Sequence, residues 1–168
     1  MPHPLTLALF PTSAMAIEAT NTLHSLGIDG ERISVVARSH ADERSLAEQM
    51  DATAGVELED SRPAARLGEL GGLVLAAIAL VMPGVGPVVA AGPLAAELGE
   101  VTGHAAGSLA SVLTAAGLPE ERADALQRGV ANGAVLLGVH SDPAGDVDRI
   151  TAALSLAGAS HVETVTWT

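Results

Sequence analysis

From Leu70 to Ala96 the chain runs for 27 residues without a charged side chain, and this stretch limits the possible folds more than any other feature. On length alone it would reach across a bilayer, for which a helix needs about 20 apolar residues. Met82-Pro83-Gly84-Val85-Gly86-Pro87 interrupts the run near its middle and Gly92-Pro93 does so again. Proline removes a backbone donor and clashes with the preceding helical turn, so neither break continues a helix. The remaining pieces read as two helices, about Leu67 to Met82 and about Pro93 to Ala116, joined by a turn. In the first, Gly68, Gly72 and Ala76 fall four apart on one face; in the second, Ala95, Gly99, Gly103 and Gly107 do the same. Small residues at this spacing leave a groove in which two backbones can approach. Each interior glycine costs about 0.5–1 kcal/mol of helix stability, so close packing has to offset it. These two faces of small residues predict a glycine-rich helical hairpin packed within the chain or between subunits.

The turn between the arms, Pro83, Gly84, Val85, Gly86 and Pro87, carries no polar side chain. Surface turns are usually polar, and an exposed apolar tip marks contact with protein or lipid. Glu97 and Glu100 follow closely, which favours burial in an oligomer or against the chain's own sheet over insertion in a bilayer.

The flanks are simpler. Leu5–Phe10 is a short apolar run ended by Pro11, a buried strand. Ser13 is positioned to cap a helix over Ala14 to Leu26 that stops at Gly27, and Ile33–Ala37 is a β-branched run. Near the other end Pro119, Glu120 and Glu121 open a helix through Asn132 that Gly133 closes. Ala134–His140 is a strand, a helix runs from Pro143 to about Gly158, and His161–Trp167 alternates as a last strand. Two strand–helix–strand halves predict an α+β fold with a ferredoxin-like sheet and the helical hairpin inserted between the halves. Residues 1–40 and 119–168 supply the halves, and residues 41–118 the acidic connector and hairpin. The apolar strands at Leu5–Phe10 and Ala134–Val139 are expected in the centre. Ile33–Arg38 and His161–Trp167, which carry polar residues, are expected at the edges. A plain alternation of strands and helices would also suit a small parallel sheet.

Phe10 and Trp167 are the only aromatic residues, so the core is built from Ala, Leu, Val and Ile. Eight Arg, no Lys and 20 acidic residues give a net charge of −12, which repels the nucleic-acid backbone, so nucleic acid is not expected as a partner. There is no cysteine for disulfides or thiolate metal sites. Met1-Pro2-His3-Pro4 lacks the basic start and long apolar run of an export signal, which points to the cytoplasm.

No catalytic pattern emerges. Gly84-Val85-Gly86 is followed by Pro87, which lacks the amide a phosphate cradle would use. The six histidines show no ligand spacing on one helix. The expected sheet would bring His3 near His140, with Asp142 two residues on; two imidazoles and a carboxylate suit a divalent metal. Strand-end histidines are more often simply solvated, and His104, beside Gly103, is more often an exposed helix residue than a buried pH-sensitive contact. No cofactor is expected.

The order of parts resembles the bacterial general-stress or low-temperature-induced protein family. The similarity spans nearly the whole chain and is carried by Pro83-Gly84-Val85-Gly86-Pro87, Ala91-Gly92-Pro93-Leu94-Ala95 and Gly117-Leu118-Pro119-Glu120-Glu121. It implies soluble or membrane-associated proteins linked to stress responses, with no catalytic residues to carry over. Where that family tends to have aromatic and Lys residues before the third strand, this chain has only Arg122 and Arg128. The sequence thus predicts a non-enzymatic, stress-associated homo-oligomer assembled through the hairpin. A membrane-associating hairpin and a small-ligand or metal-sensing module are the alternatives.

Overall fold

A computed structural model describes residues 2–38, 77–82, 84–102, 108–143 and 145–168. In chain order the elements are β1 (His3–Phe10), α1 (Ser13–Ser25), a 3-10 turn (Gly30–Arg32), β2 (Ile33–Arg38), β3 (Ala77–Met82) and β4 (Gly86–Ala91). They continue with α2 (Pro93–Thr102), α3 (Leu109–Ala115), α4 (Glu120–Ala131), β5 (Val135–His140), α5 (Val147–Leu156) and β6 (His161–Trp167). The fold is α+β. Among the described residues one sheet of six strands runs in the order β3-β4-β2-β5-β1-β6, and every neighbouring pair in it is antiparallel.

The flanking elements form where their sequence signals lie. Helix α1 is capped not by the expected Ser13 but one residue earlier, by Thr12, and the Thr12 hydroxyl accepts the Met15 N–H at 3.3 Å. It ends as Gly27 takes φ +84° and the Ile28 N–H bonds back to the Leu23 carbonyl at 3.0 Å. Helix α4 ends in the same way at Gly133, with the Ala134 N–H on the Gly129 carbonyl. Helix α5 begins at Val147, later than Pro143.

The centre differs from expectation. Ala77–Met82, the end of the predicted first helix, is a strand paired with Gly86–Ala91, so the described part of the hairpin is a β-hairpin. A six-residue apolar run suits strand and helix equally, and context decides. Here the context is Pro83-Gly84, the signature of a type II turn. Gly84 has φ +80°, and the Val85 N–H bonds to the Met82 carbonyl at 3.1 Å. Of the predicted second helix, 93–102 and 109–115 are helical as α2 and α3.

Strand β2 is also displaced from its expected edge position, because β4 pairs along it from Val35↔Ala91 to Arg38↔Val88. The polar residues that suggested an edge serve helix ends instead. Ser34 is fully buried and its hydroxyl accepts the Leu94 N–H at 3.0 Å, satisfying one of the free donors at the start of α2. Arg38 donates to the Ala131 carbonyl at the end of α4 at 2.8 Å.

Both faces of the sheet are covered. On one, Ala8, Phe10, Val35, Leu137 and Val139 pack with Ala16, Ala19 and Leu23 of α1 and Ile150 and Leu154 of α5. On the other, Leu5, Leu7, Leu9, Val36, Val88 and Leu136 pack with Leu94 of α2, Leu109 and Leu113 of α3, and Ala123, Leu126 and Val130 of α4. Each fully buried Leu contributes roughly 1.5–3 kcal/mol. Strand alternation sends odd-numbered residues of β1 to the second face and Ala8 and Phe10 to the first. Among the described residues no helix is long and apolar enough to cross a membrane.

Candidate functional site

Polar chemistry gathers at one end of the sheet, where β1 begins and β5 and β6 end. The register sets Leu5 opposite His140 and His3 opposite Trp167. Directly paired residues point to the same face, so His3, His140 and Trp167 share the face covered by α2, α3 and α4. His3 Nε2 lies 2.7 Å from His140 Nδ1, and the ring centroids are 5.0 Å apart. The His140 ring meets Trp167 edge to face at 5.4 Å and 85°.

His140 is only 8% exposed, and its Nε2 is buried without a hydrogen-bond partner. Arg32, in the turn before β2, donates from Nε to the His140 carbonyl at 2.8 Å and reaches Asp142 at 3.6 Å. The Asp142 side chain is 83% exposed. Burial chiefly, then the nearby His3 and the Arg32 guanidinium, push the His140 imidazole down from 6.5 to about 4. His140 is therefore neutral near pH 7, and its facing contact holds one shared hydrogen. If that hydrogen sits on His140 Nδ1, the buried Nε2 is an acceptor only; the other tautomer would bury an N–H with no acceptor.

The sequence brought His3 and His140 together correctly. As a metal site the constellation gains no further support: the two facing nitrogens are engaged with each other, Asp142 faces Arg32, and among the described residues no group of three His, Asp or Glu is placed to hold a metal ion. Trp167 and Arg32 were not anticipated. Their presence follows from a register and a crossover that no local spacing encodes.

The predicted helix-packing residues fare differently. Gly68, Gly72, Ala76, Gly103 and Gly107 lie outside the described residues, as does Pro83. Gly99 falls within α2. Ala95 is buried in the chain's own core against the sheet. In the apolar turn, Gly84 is exposed. Val85 is 6% exposed and belongs to the core. A methyl group added at Gly84 would stand 3.0 Å from Gln127 Nε2, placing α4 beside the turn. Gly86 takes φ +91° as β4 begins, and Pro87 pairs with Val81.

A second polar contact lies on the same face, where Arg122 of α4 holds Glu163 of β6 at 3.0 Å. The other Glu163 oxygen is buried without a partner. Compared with known protein families, curated proteins and solved structures, the chain matches none.

Proposed function

We propose that this chain is a non-enzymatic, stress-associated protein that assembles with a second copy of itself, and that the assembling element is the open edge of β6. The observation that carries this reading is the direction of the β6 backbone. The Ser141 N–H bonds to the Pro4 carbonyl at 2.9 Å, so even-numbered β1 residues present their backbone groups to β5 and odd-numbered ones to β6. Thr166, Thr164 and Val162, opposite Pro4, Thr6 and Ala8, then turn their N–H and C=O groups outward. β6 is the last strand of the sheet among the described residues. Such an edge is a template for another strand.

The side chains suit a symmetric antiparallel pairing centred on Thr164. That register sets His161 across from Trp167 of the other copy and Glu163 across from Val165, so the one carboxylate of the strand does not meet its counterpart. Toward Thr166 the edge is approached by Gly117, where a Cβ would stand 3.5 Å from the Thr166 carbonyl, leaving the two hydrogen bonds at Thr164 as the centre of the contact. Sedimentation velocity on the whole chain and on Thr164→Pro tests this. Proline deletes an outward N–H that the β1 ladder does not use, so the parent should run as a dimer and the variant as a monomer with unchanged circular dichroism. A monomeric parent at micromolar concentration sinks the reading.

The same proposal takes β1-α1-β2 and β5-α5-β6 as the halves of a ferredoxin-like unit. The segment between them adds β3 and β4 beyond β2 and lays α2, α3 and α4 over the second face. Cytoplasmic residence belongs to this reading too.

A further inference from the structure

The histidine corner supports an inference that stands apart from assembly. A nitrogen-to-nitrogen distance of 2.7 Å leaves room for one hydrogen between the two rings. The neutral pair satisfies this with one N–H donating to one bare nitrogen. A single added proton preserves it, since an imidazolium can donate to a neutral imidazole. A second added proton makes both facing nitrogens donors, and two N–H groups do not fit in that gap. We propose that the His3–His140 pair is an acid-operated latch on the C-terminal end of β6: the doubly protonated pair separates, His140 leaves its packing against Trp167, and the end of the strand comes free.

The surroundings make the second proton disruptive. On the β1 side stands His3 itself. From the turn before β2, the Arg32 guanidinium donates to the His140 carbonyl. The carboxylate two residues beyond His140, Asp142, is engaged by Arg32 and sits largely in water. On β6, Glu163 is committed to Arg122 of α4. A proton on His140 therefore joins cationic neighbours, and the buried Nε2, once protonated, would be a donor without an acceptor. The depressed titration of His140, at about 4, agrees with this geometry.

Trp167 is the last residue of β6, opposite His3 in the ladder. The latch therefore holds the strand where it would otherwise fray.

Trp167 is also the single tryptophan in a chain without tyrosine, so its fluorescence reports this end of β6, and a midpoint unchanged on dilution separates the corner from any pairing of β6 with a second copy. Quenching by a nearby imidazolium lowers intensity without moving the emission maximum, whereas exposure to water moves the maximum to longer wavelength. The emission maximum is to be followed from neutral pH into acid for the parent, His140→Phe and His3→Gln. The parent should show a reversible red shift centred near the pH at which His140 titrates. In His140→Phe that step should be absent, and in His3→Gln it should shrink, because an amide oxygen at position 3 accepts from a protonated His140 and the clash of two donors is gone. A red shift of the same size and midpoint in all three proteins overturns the latch. So does a loss of intensity with no shift. If His140→Phe does not fold, His3→Gln still decides, since an undiminished red shift there means that something other than the clash of two donors releases Trp167.

Discussion

The two faces of the sheet are closed by different means. On the face under α1 and α5, two helices supplied by the strand–helix–strand crossovers lay apolar stripes on alternate strand residues, and the packing is almost wholly side chain against side chain. The face under α2, α3 and α4 is closed by chain drawn from between β2 and β5, and it relies on close approach and directed polar contacts. Ser34 caps α2, Arg38 receives the end of α4, and the Gln127 carbonyl oxygen accepts the Ala110 N–H at 2.9 Å. Gly138 has no side chain where Leu94 presses on the sheet; a Cβ there would come within 2.7 Å of the Leu94 methyl. The first face is built from periodicity, which tolerates substitution of similar size. The second is built from contacts that only particular residues can make.

Two left-handed glycines should break this comparison most sharply. Gly27, after α1, has φ +84° with open space where a Cβ would go. Gly92, before α2, has φ +83°, but a Cβ would overlap the Ile33 carbonyl oxygen and stand 2.7 Å from Ser34 Cα. Gly27→Ala should cost about 1 kcal/mol, the strain of an L residue in that conformation. Gly92→Ala adds a backbone clash that no rotamer relieves, and should cost on the order of 4 kcal/mol or prevent folding. Urea denaturation of both variants measures the gap; equal losses would mean that the second face yields as readily as the first.

Acid should separate the faces next. His140 sits on the second face, whereas His24 and His161 are exposed. The unfolded chain takes up a proton on residue 140 as pH falls below 6.5, but the folded chain resists until about 4. Stability from this group is therefore complete above 6.5, is lost between 6.5 and 4, and is flat below. The shift from 6.5 to about 4 corresponds to about 3 kcal/mol. Carboxylates also destabilise in acid, so the informative quantity is the parent minus His140→Phe in urea midpoints at neutral pH and at pH near 4. A difference independent of pH would remove His140 from the account.

The same division explains what the sequence made legible. The elements of the first face announce themselves locally: an apolar run ended by Pro11, a helix stopped at Gly27, a β-branched run from Ile33, and a mirrored set from Val135 to Trp167. The approach of His3 to His140 followed from placing those strands antiparallel. The second face was misread where local signals are ambiguous. Ala77–Met82 is compatible with helix or strand, and its strand state depends on pairing with β4, which itself depends on β2. Ser34 and Arg38 suggested an edge because a polar residue in a strand looks the same whether it meets water or the end of a helix. Trp167 reached the histidine corner through register, which no spacing rule within one strand reveals.

Gln127 offers a smaller test of the second face. Its amide ties the start of α3 to α4 and stands beside the turn at Gly84. Gln127→Ala leaves the Ala110 N–H without this acceptor and should cost about 1–2 kcal/mol. Gln127→Glu, which retains the acceptor oxygen, should recover most of that loss in thermal denaturation. Equal losses in the two variants would show that the contact acts by packing and not by hydrogen bonding.

The smallest effect is expected at Gly129, where two terms oppose each other. Gly129 lies inside α4, so alanine there should gain about 1 kcal/mol in helix propensity. A methyl group at that position would overlap the Leu9 Cδ2 methyl and stand 3.3 Å from Cδ1. Leu9 is 6% exposed and packed in the same core, so its side chain can turn only by disturbing neighbours, at a cost of about 1–3 kcal/mol. The methyl ends a flexible side chain and not a backbone, which places the cost at the lower end of that range. Gly129→Ala should therefore lie within about 1 kcal/mol of the parent on the destabilising side. Pairing it with Leu9→Ala gives the sign its meaning. With the obstructing methyls gone, the alanine at 129 should become stabilising relative to Leu9→Ala alone, because only the propensity term remains. If Gly129→Ala stays destabilising in that background, then α4 is held at this distance from β1 by something other than Leu9, and the close approach on the second face belongs to the backbone.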